Sequence, residues 1–187
     1  MNRALPNDFC GHKYGLKYRL VDFNDAPFIV GLRTDPKLSR FIHETSSDVS
    51  SQIDWIREYK ERESRGEDYY FVFHYKDEPV GVCRIYGIHD SFFTFGSWLF
   101  KEGIPFFCSV AGAIIAREIA FEELGLEEEI EKDGTLIENK KVIRFSKQLG
   151  MVYDGTREDS KGIYRTGYLK KEDFEKNKKG ICRFLGE

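Results

Sequence analysis

Cysteine and histidine are the first residues to weigh for chemistry, because they bind metals and act as nucleophiles or bases. The sequence has four cysteines and four histidines, and no two cysteines form a CxxC pair. Cys10 and His12 form an isolated CxH pair, with no further ligands at zinc-binding spacing. We therefore expect no metal site, and we expect reduced thiols, as in a cytosolic protein.

The clearest spacing signal lies in residues 138–151, ENKKVIRFSKQLGM. Asn139 is a good helix N-cap, because its side-chain oxygen can accept an N–H of the first turn. Gly150 stands where a left-handed residue ends a helix. Apolar residues recur between them at helical spacing: Val142, Ile143 and Leu149. The stretch predicts a capped helix that leads into a strand.

The rest of the chain supplies the elements that must position this helix. Alternating and apolar runs predict strands at residues 14–20, 68–75, 79–88, 91–100, 151–157 and 162–169, and a short strand near Ile130 or residues 135–137. Capping and periodicity predict further helices at residues 26–33, from Ser47 or Asp48 to Gly66, at 109–124 and at 171–177. Helices mixed with hairpin strands indicate an α/β or α+β sheet.

Length and charge narrow the functional classes. A chain of 187 residues predicts one domain, residues 14–187, after a loose N-terminal arm, residues 1–13. A net charge of −3 gives no global attraction to nucleic acid. The first residues lack the apolar core of a signal peptide, and no run approaches the roughly 18 apolar residues of a membrane span. We expect a cytoplasmic protein without nucleic-acid or membrane partners, and a homodimer is the default assembly.

The order of these elements, over roughly residues 14–170, resembles the GNAT superfamily of acyl-CoA N-acyltransferases. Five features carry the resemblance: Trp55, the run 79–81 (PVG), the run 96–98 (GSW), Asn139 and Gly150. The similarity is greatest to the branch of ribosomal-protein-alanine acetyltransferases of the RimJ/RimL type. It implies a single mixed, mostly antiparallel sheet of about seven strands, with helices on both faces.

The resemblance also implies an activity, the transfer of an acetyl group from acetyl-CoA to a primary amine by direct attack, with no metal. The acceptor class stays open among a protein N-terminus, a small amine and an amino-sugar nucleotide. Pantetheine would lie between two splayed strands, and the pyrophosphate would lie at the start of helix 109–124. The implied cofactor-binding residues are Trp98, Leu99, Phe100, Phe107, Cys108, Ser109, Val110, Ala111, Asn139 and Lys141.

Two departures from the family pattern bear on catalysis. The phosphate-binding loop reads PFFCSVAGA, without the usual basic residue and paired glycines, and Ser146 occupies the position of the usual aromatic acid. Ser146 would orient the thiolate or a water, and Glu44 would lie near the acceptor as a candidate base. The departures also motivate two alternatives: a degenerate, non-catalytic module that binds CoA or senses a ligand, and a partner-binding domain without CoA.

Overall fold

Eight strands form one mixed sheet in the computed structural model, which describes residues 4–186. The strands are β1 (Cys10–Lys13), β2 (Leu16–Leu20), β3 (Asp68–Tyr75), β4 (Glu78–His89), β5 (Phe92–Phe100), β6 (Glu128–Leu136), β7 (Val152–Asp159) and β8 (Gly162–Lys170). Their order in the sheet is β1-β2-β3-β4-β5-β6-β8-β7. Only the contact between β5 and β6 is parallel among the neighbouring strand pairs of residues 4–186. The predicted mixed, mostly antiparallel sheet is confirmed.

Five α-helices accompany the sheet. They are α1 (Ala26–Thr34), α2 (Val49–Ser64), α3 (Phe107–Glu118), α4 (Lys140–Leu149) and α5 (Lys171–Phe184). Alternate residues of β3 separate two apolar cores: Tyr70 and Val72 pack with α1 and α2, whereas Phe71 and Phe73 pack with α3 and α5. Within residues 4–186, no helix combines the length and the apolar character needed to cross a membrane.

The predicted loose arm is wrong for its last four residues, which form β1. Tyr14 and Gly15 connect β1 to β2, with φ angles of 49° and 75°, and Lys13 pairs with Leu16. Two consecutive residues with positive φ make the tight turn that matches the twist of a hairpin. This turn adds an eighth strand to the sheet. Residues 1–3 of the predicted arm lie outside the described residues.

Helix α3 begins at Phe107, two residues before the predicted start, and continues as a π-helical segment, Ile119–Glu123. Gly112 allows close packing, since a Cβ there would lie 2.4 Å from the ring of Phe100. The same ring fills the space beside Gly81, where a Cβ would approach it to 2.3 Å. The two glycines therefore fix Phe100 between β4 and α3.

Strands β5 and β6 pair only at their beginnings and then diverge. The register joins Phe92 to Glu128 and Phe93 to Glu129. The Thr94 hydroxyl then donates a hydrogen bond to the Ile130 carbonyl over 3.0 Å, in the place of a backbone contact. Beyond that point, β5 follows β4 while β6 follows β8. The predicted gap between splayed strands is present, and it opens a cavity through the sheet.

Candidate active site

A cavity of about 660 Å³ occupies the gap between β5 and β6 and opens toward both faces of the sheet. On the α4 face its wall includes Trp98, Asn139, Val142 and Ser146. On the face of α1 and α2 its lining includes Arg33, Arg40, His43, Glu44, Trp55 and Arg84. Two reactants that approach from opposite faces would therefore meet in the middle of the sheet.

The centre of the cavity is shaped by a bulge in β5. The pairing with β4 passes from Gly96 to Leu99, so that Ser97 and Trp98 stand opposite Cys83 alone. Ser97 adopts a φ angle of 47°, a conformation that is uncommon for a residue with a side chain. The Trp98 indole N–H donates to the Ser109 carbonyl over 2.9 Å. The bulge thus turns a strand backbone and a fixed indole toward the cavity.

A buried ion pair lies at the fork of the two strands. Both Arg117 of α3 and Glu129 of β6 are 2% exposed. The guanidinium makes two parallel hydrogen bonds to the carboxylate, of 2.7 Å from Nε and 2.9 Å from Nη2. It also lies 3.8 Å from the centroid of the Phe95 ring. Because Glu129 is itself the last residue of β6 that pairs with β5, this ion pair holds α3 against the point where the gap begins.

A polar cluster continues the same wall, formed by Glu131 and Thr135 of β6, Ser146 of α4 and Tyr153 of β7. The Thr135 hydroxyl donates to Glu131 Oε1. The Tyr153 hydroxyl lies beside Ser146, Glu131 and Thr135. Neither that hydroxyl nor Glu131 Oε2 forms a well-aligned hydrogen bond with another residue of the described chain, although both atoms are buried.

Burial sets the protonation behaviour of this cluster. The pKa of Glu131 is raised chiefly by burial, with a smaller contribution from the charge of Glu129. The hydrogen bond from Thr135 and the charge of Arg117 act in the opposite direction. The pKa of Tyr153 is raised by burial and then by the charge of Glu131. A carboxyl group in such surroundings retains its proton at higher pH than an exposed carboxyl group does.

Basic side chains line the opposite opening. Arg33 donates from Nε to the Thr45 hydroxyl over 2.7 Å. Arg84 bonds to Asp68 through Nε over 2.8 Å, and its guanidinium stacks on the Trp55 ring 4.9 Å away. Arg40 and Lys161 are exposed residues of the same lining. In residues 4–186, no carboxylate lies within ion-pair distance of Arg33, Arg40 or Lys161.

The structure brings together five of the residues selected from the sequence: Glu44, Trp98, Leu99, Asn139 and Ser146 all line the cavity. Asn139 occupies the N-cap position of α4 as predicted, but its side chain makes no capping hydrogen bond. The predicted reason for an asparagine there is therefore wrong. Gly150 ends α4 with a φ angle of 106°, as predicted.

The other selected residues lie outside the cavity lining: Phe100, Phe107, Cys108, Ser109, Val110, Ala111 and Lys141. Phe100, Cys108 and Ala111 are buried in the core beneath α3. The Cys108 N–H donates to the Pro105 carbonyl over 3.0 Å, so the first turn of α3 already uses one of its free donors. Two further arginines, Arg84 and Arg157, line the cavity, whereas Lys101 and Arg165 do not.

Sequence reasoning missed Arg117 and Glu129, as well as Glu131, Thr135 and Tyr153. Residues 127–131 carry four glutamates among five residues, and such a run normally indicates a solvated segment. The available signal was the alternation of Glu129 and Glu131, which places both on one face of a strand. Within residues 4–186, no group of three or more His, Cys, Asp or Glu side chains is arranged to hold a metal ion.

Comparison with known proteins defines the class. Residues 16–152 match the family model described as the acetyltransferase (GNAT) domain. This match spans most of the chain, and the chain therefore belongs to the GNAT acetyltransferase family. Its activity is the transfer of an acetyl group to an amine. The family that the sequence motifs resembled is thus confirmed.

The chain is also similar to solved structures of other proteins. The chain is 33% identical to apo FdhC, described as a nucleotide-linked sugar GNAT, with a TM-score of 0.78 and coverage of 96% of this chain and 99% of that one. The ribosomal-protein-S5-alanine acetyltransferase from Vibrio fischeri is 15% identical, with a TM-score of 0.75 and coverages of 89% and 99%. The spermidine N-acetyltransferase from Vibrio cholerae, in complex with CoA and spermine, is also 15% identical, with a TM-score of 0.71 and coverages of 87% and 99%. A search of curated proteins gave no match.

Proposed function

We propose that this protein transfers an acetyl group from acetyl-CoA to the primary amine of a nucleotide-linked amino sugar. The observation that carries the acceptor class is the set of basic side chains at one opening of the cavity: Arg33, Arg40 and Lys161. Their charges are not matched by ion-pair partners in residues 4–186. Guanidinium and ammonium groups are the usual ligands of a diphosphate. The similarity to a nucleotide-linked sugar GNAT supports the same class.

The other opening suits acetyl-CoA. Past Phe93 and Glu129, the facing edges of β5 and β6 no longer pair with each other, so an extended pantetheine arm can align with them. Trp98 and Asn139 line this part of the cavity, and Leu99 lines it next to the bulge of β5. The pyrophosphate would lie beyond it, near the first turn of α3 (Phe107 to Ala111) and Lys141. Backbone N–H groups at the bulge of β5 would polarise the thioester carbonyl.

The reaction requires a neutral amine at the meeting point of the two ligands. The amine nitrogen attacks the thioester carbon, and the C–S bond breaks. Glu44 lies on the acceptor side of the cavity, where its carboxylate can take the ammonium proton. Ser146 lies on the opposite wall and is 4% exposed. Its hydroxyl would orient the sulfur, which is the role that the sequence resemblance implies.

The direct test is thiol release from acetyl-CoA with a panel of acceptors. A nucleoside-diphosphate-linked amino sugar should be acetylated with a higher kcat/KM than spermidine or a peptide N-terminus. A free nucleoside diphosphate should compete with that acceptor but not with acetyl-CoA. Arg33→Gln should raise the KM for the acceptor by roughly 10-fold to 100-fold, because a hydrogen bond to a charged group is worth about 1.5–3 kcal/mol. Arg144→Gln, on the exposed side of α4, is the matched control.

Equal activity with spermidine or a peptide, and no competition by the diphosphate, would contradict the proposed acceptor. A thermal-shift titration separates donor from acceptor, because a ligand that binds only the folded state raises the melting temperature. Saturable stabilisation by acetyl-CoA without thiol release from any acceptor would contradict the enzymatic proposal. That result would favour the alternative of a CoA-binding module.

A further inference from the structure

We propose that Glu131 is the residue that protonates the sulfur of CoA as it leaves, with Thr135, Tyr153 and Ser146 as its positioning residues. The expected mechanism assigns no proton donor to the leaving sulfur, since Ser146 stands where the family usually has an aromatic acid. It rests on the proposed use of acetyl-CoA, and it does not depend on which amine is the acceptor.

The position of Glu131 fits this role. It lines the cavity on β6, two residues after Glu129, so the two side chains share the face of the sheet that carries α3. Trp98 and Ser146 line the cavity on the same side. The acceptor opening, with Arg33 and its neighbours, lies across the gap. A carboxyl group on this wall therefore faces the thioester from the donor side rather than from the amine side.

The surroundings of Glu131 are built to hold a proton on one oxygen. Thr135 donates to Oε1. Oε2 is buried and has no well-aligned partner in the described chain, so it is the oxygen that can present a proton to a ligand. The Tyr153 hydroxyl lies beside it, and this hydroxyl is likewise buried without a well-aligned hydrogen-bond partner in the described chain. A buried polar atom without a hydrogen bond is costly, which favours occupation of this space by a polar group of the substrate.

Several titratable groups surround this carboxyl group. Glu129 and Tyr86 act on it from β6 and β4, Arg117 from α3, and Tyr153 from β7. Burial raises its pKa and the charge of Glu129 raises it further, whereas Arg117 and the two hydroxyl groups lower it. The balance is an upward shift, which keeps a fraction of the carboxyl protonated where an exposed glutamate would be fully ionised.

The proton balance of the step closes without a further reactant. The amine lone pair forms the C–N bond, and the C–S bond breaks with its electron pair on sulfur. The sulfur takes the proton of the Glu131 carboxyl group, which becomes a carboxylate. The nitrogen loses one proton to the Glu44 carboxylate, which passes it to water at the acceptor opening, and Glu131 recovers one proton from water. The products are the N-acetylated acceptor and CoA thiol.

The test is the pH profile of kcat at saturating substrates in matched variants. A general acid works only while protonated, so wild-type kcat should fall as pH rises through the pKa of Glu131 in the complex. Glu131→Gln keeps the size and the hydrogen bond from Thr135 but has no proton to give. It should lower kcat by about 100-fold, the low end for general acids because a thiolate already leaves readily, and should abolish the alkaline fall.

Two further variants should shift the pH at which kcat falls, a change that a merely structural role would not produce. Thr135→Val removes a hydrogen bond that stabilises the carboxylate, so the alkaline limb should move to higher pH. Tyr153→Phe should shift the same limb in the same direction. Glu138→Gln, an exposed carboxylate just before α4, is the control and should match the wild type. Thermal shifts with acetyl-CoA should be retained in all four variants, since none is expected to lose the donor.

Wild-type kcat and an unchanged alkaline limb in Glu131→Gln would overturn this proposal while acetyl transfer itself stood. A 100-fold loss with an unchanged pH profile would also overturn it, because it would show a structural effect. Absence of both acetyl-CoA binding and thiol release in the wild-type protein would instead overturn the proposed function, and the role of Glu131 with it.

Discussion

Removal of Glu129 should be among the most destabilising single changes in this protein. The carboxylate is the only ion-pair partner of Arg117 in residues 4–186, and both residues are 2% exposed. Glu129→Leu leaves a guanidinium buried beside Phe95 without a counterion. Breaking one side of a buried pair costs about 3–5 kcal/mol. In a domain of this size, where 1 kcal/mol shifts the melting temperature by about 2–4 °C, the loss is roughly 6–20 °C.

The double variant Arg117→Met/Glu129→Leu isolates the reason for that loss. With both charges gone, no unpaired group remains, and replacement of a buried pair by apolar residues is often neutral or stabilising. We expect the double variant to recover most of the stability lost in Glu129→Leu. Urea unfolding of the wild type, both single variants and the double variant gives the four free energies of unfolding that the cycle needs.

Two outcomes would refute this reasoning. One is a cost below about 1 kcal/mol for Glu129→Leu, the range of an exposed pair, which would show that water reaches the guanidinium. The other is a double variant that loses the sum of the two single losses, which would show independent packing effects. If the double variant is stable but has a higher KM for acetyl-CoA, the pair sets the geometry of the gap rather than the stability of the fold.

Three further changes test the packing and the pH response. Gly134→Ala should lower the free energy of unfolding by roughly 2–5 kcal/mol, because the residue has a φ of 76° and a Cβ would lie 2.8 Å from a carbonyl oxygen of β8. Gly180→Ala is the control in the same urea titration. Its Cβ would meet open space inside α5, so this change should stabilise the protein slightly. Gly112→Ala should lose about 1–3 kcal/mol by overpacking, and Phe100→Leu in the same chain should restore part of it. Asp48→Ala should lower the melting temperature at pH 7. Hydrogen bonds from the first turn of α2 lower the pKa of Asp48 from 3.8 to about 2, so its stabilisation is full above pH 4, and the difference from the wild type should shrink as the pH falls toward 2.

The antiparallel meander β3–β5 was predictable because its information is local. Residues 68–75 alternate between the two cores, and the turns that follow are short. Strand β6 was harder to predict, since five of its nine residues are charged and one is a glycine. It becomes a strand by pairing with β8, and it buries Glu129 because Arg117 of α3 supplies the counterion. Neither cause can be read from the residues of the strand itself.

The bulge in β5 explains which cofactor-binding predictions reached the cavity. A shift of one residue in a strand exchanges its two faces. After Ser97 and Trp98, Leu99 packs with α1 and α2, and Phe100 turns to the opposite core beneath α3. The sequence identified the right strand, but the face of each side chain depends on a backbone irregularity that apolar alternation does not encode. Trp98 lines the cavity because it lies within the bulge itself.

The net charge of −3 conceals a separation of charge across the gap. The cavity wall on the α3 face carries the acidic Glu129 and Glu131, and Arg117 neutralises Glu129. The acceptor opening carries the basic Arg33 and Lys161. Charges are screened over about 8–10 Å in physiological salt, so a ligand at one opening responds to the side chains there rather than to the whole chain. A negative protein can therefore present a positive opening to a diphosphate. For the same reason, the expected lack of attraction to nucleic acid says nothing about small anionic substrates.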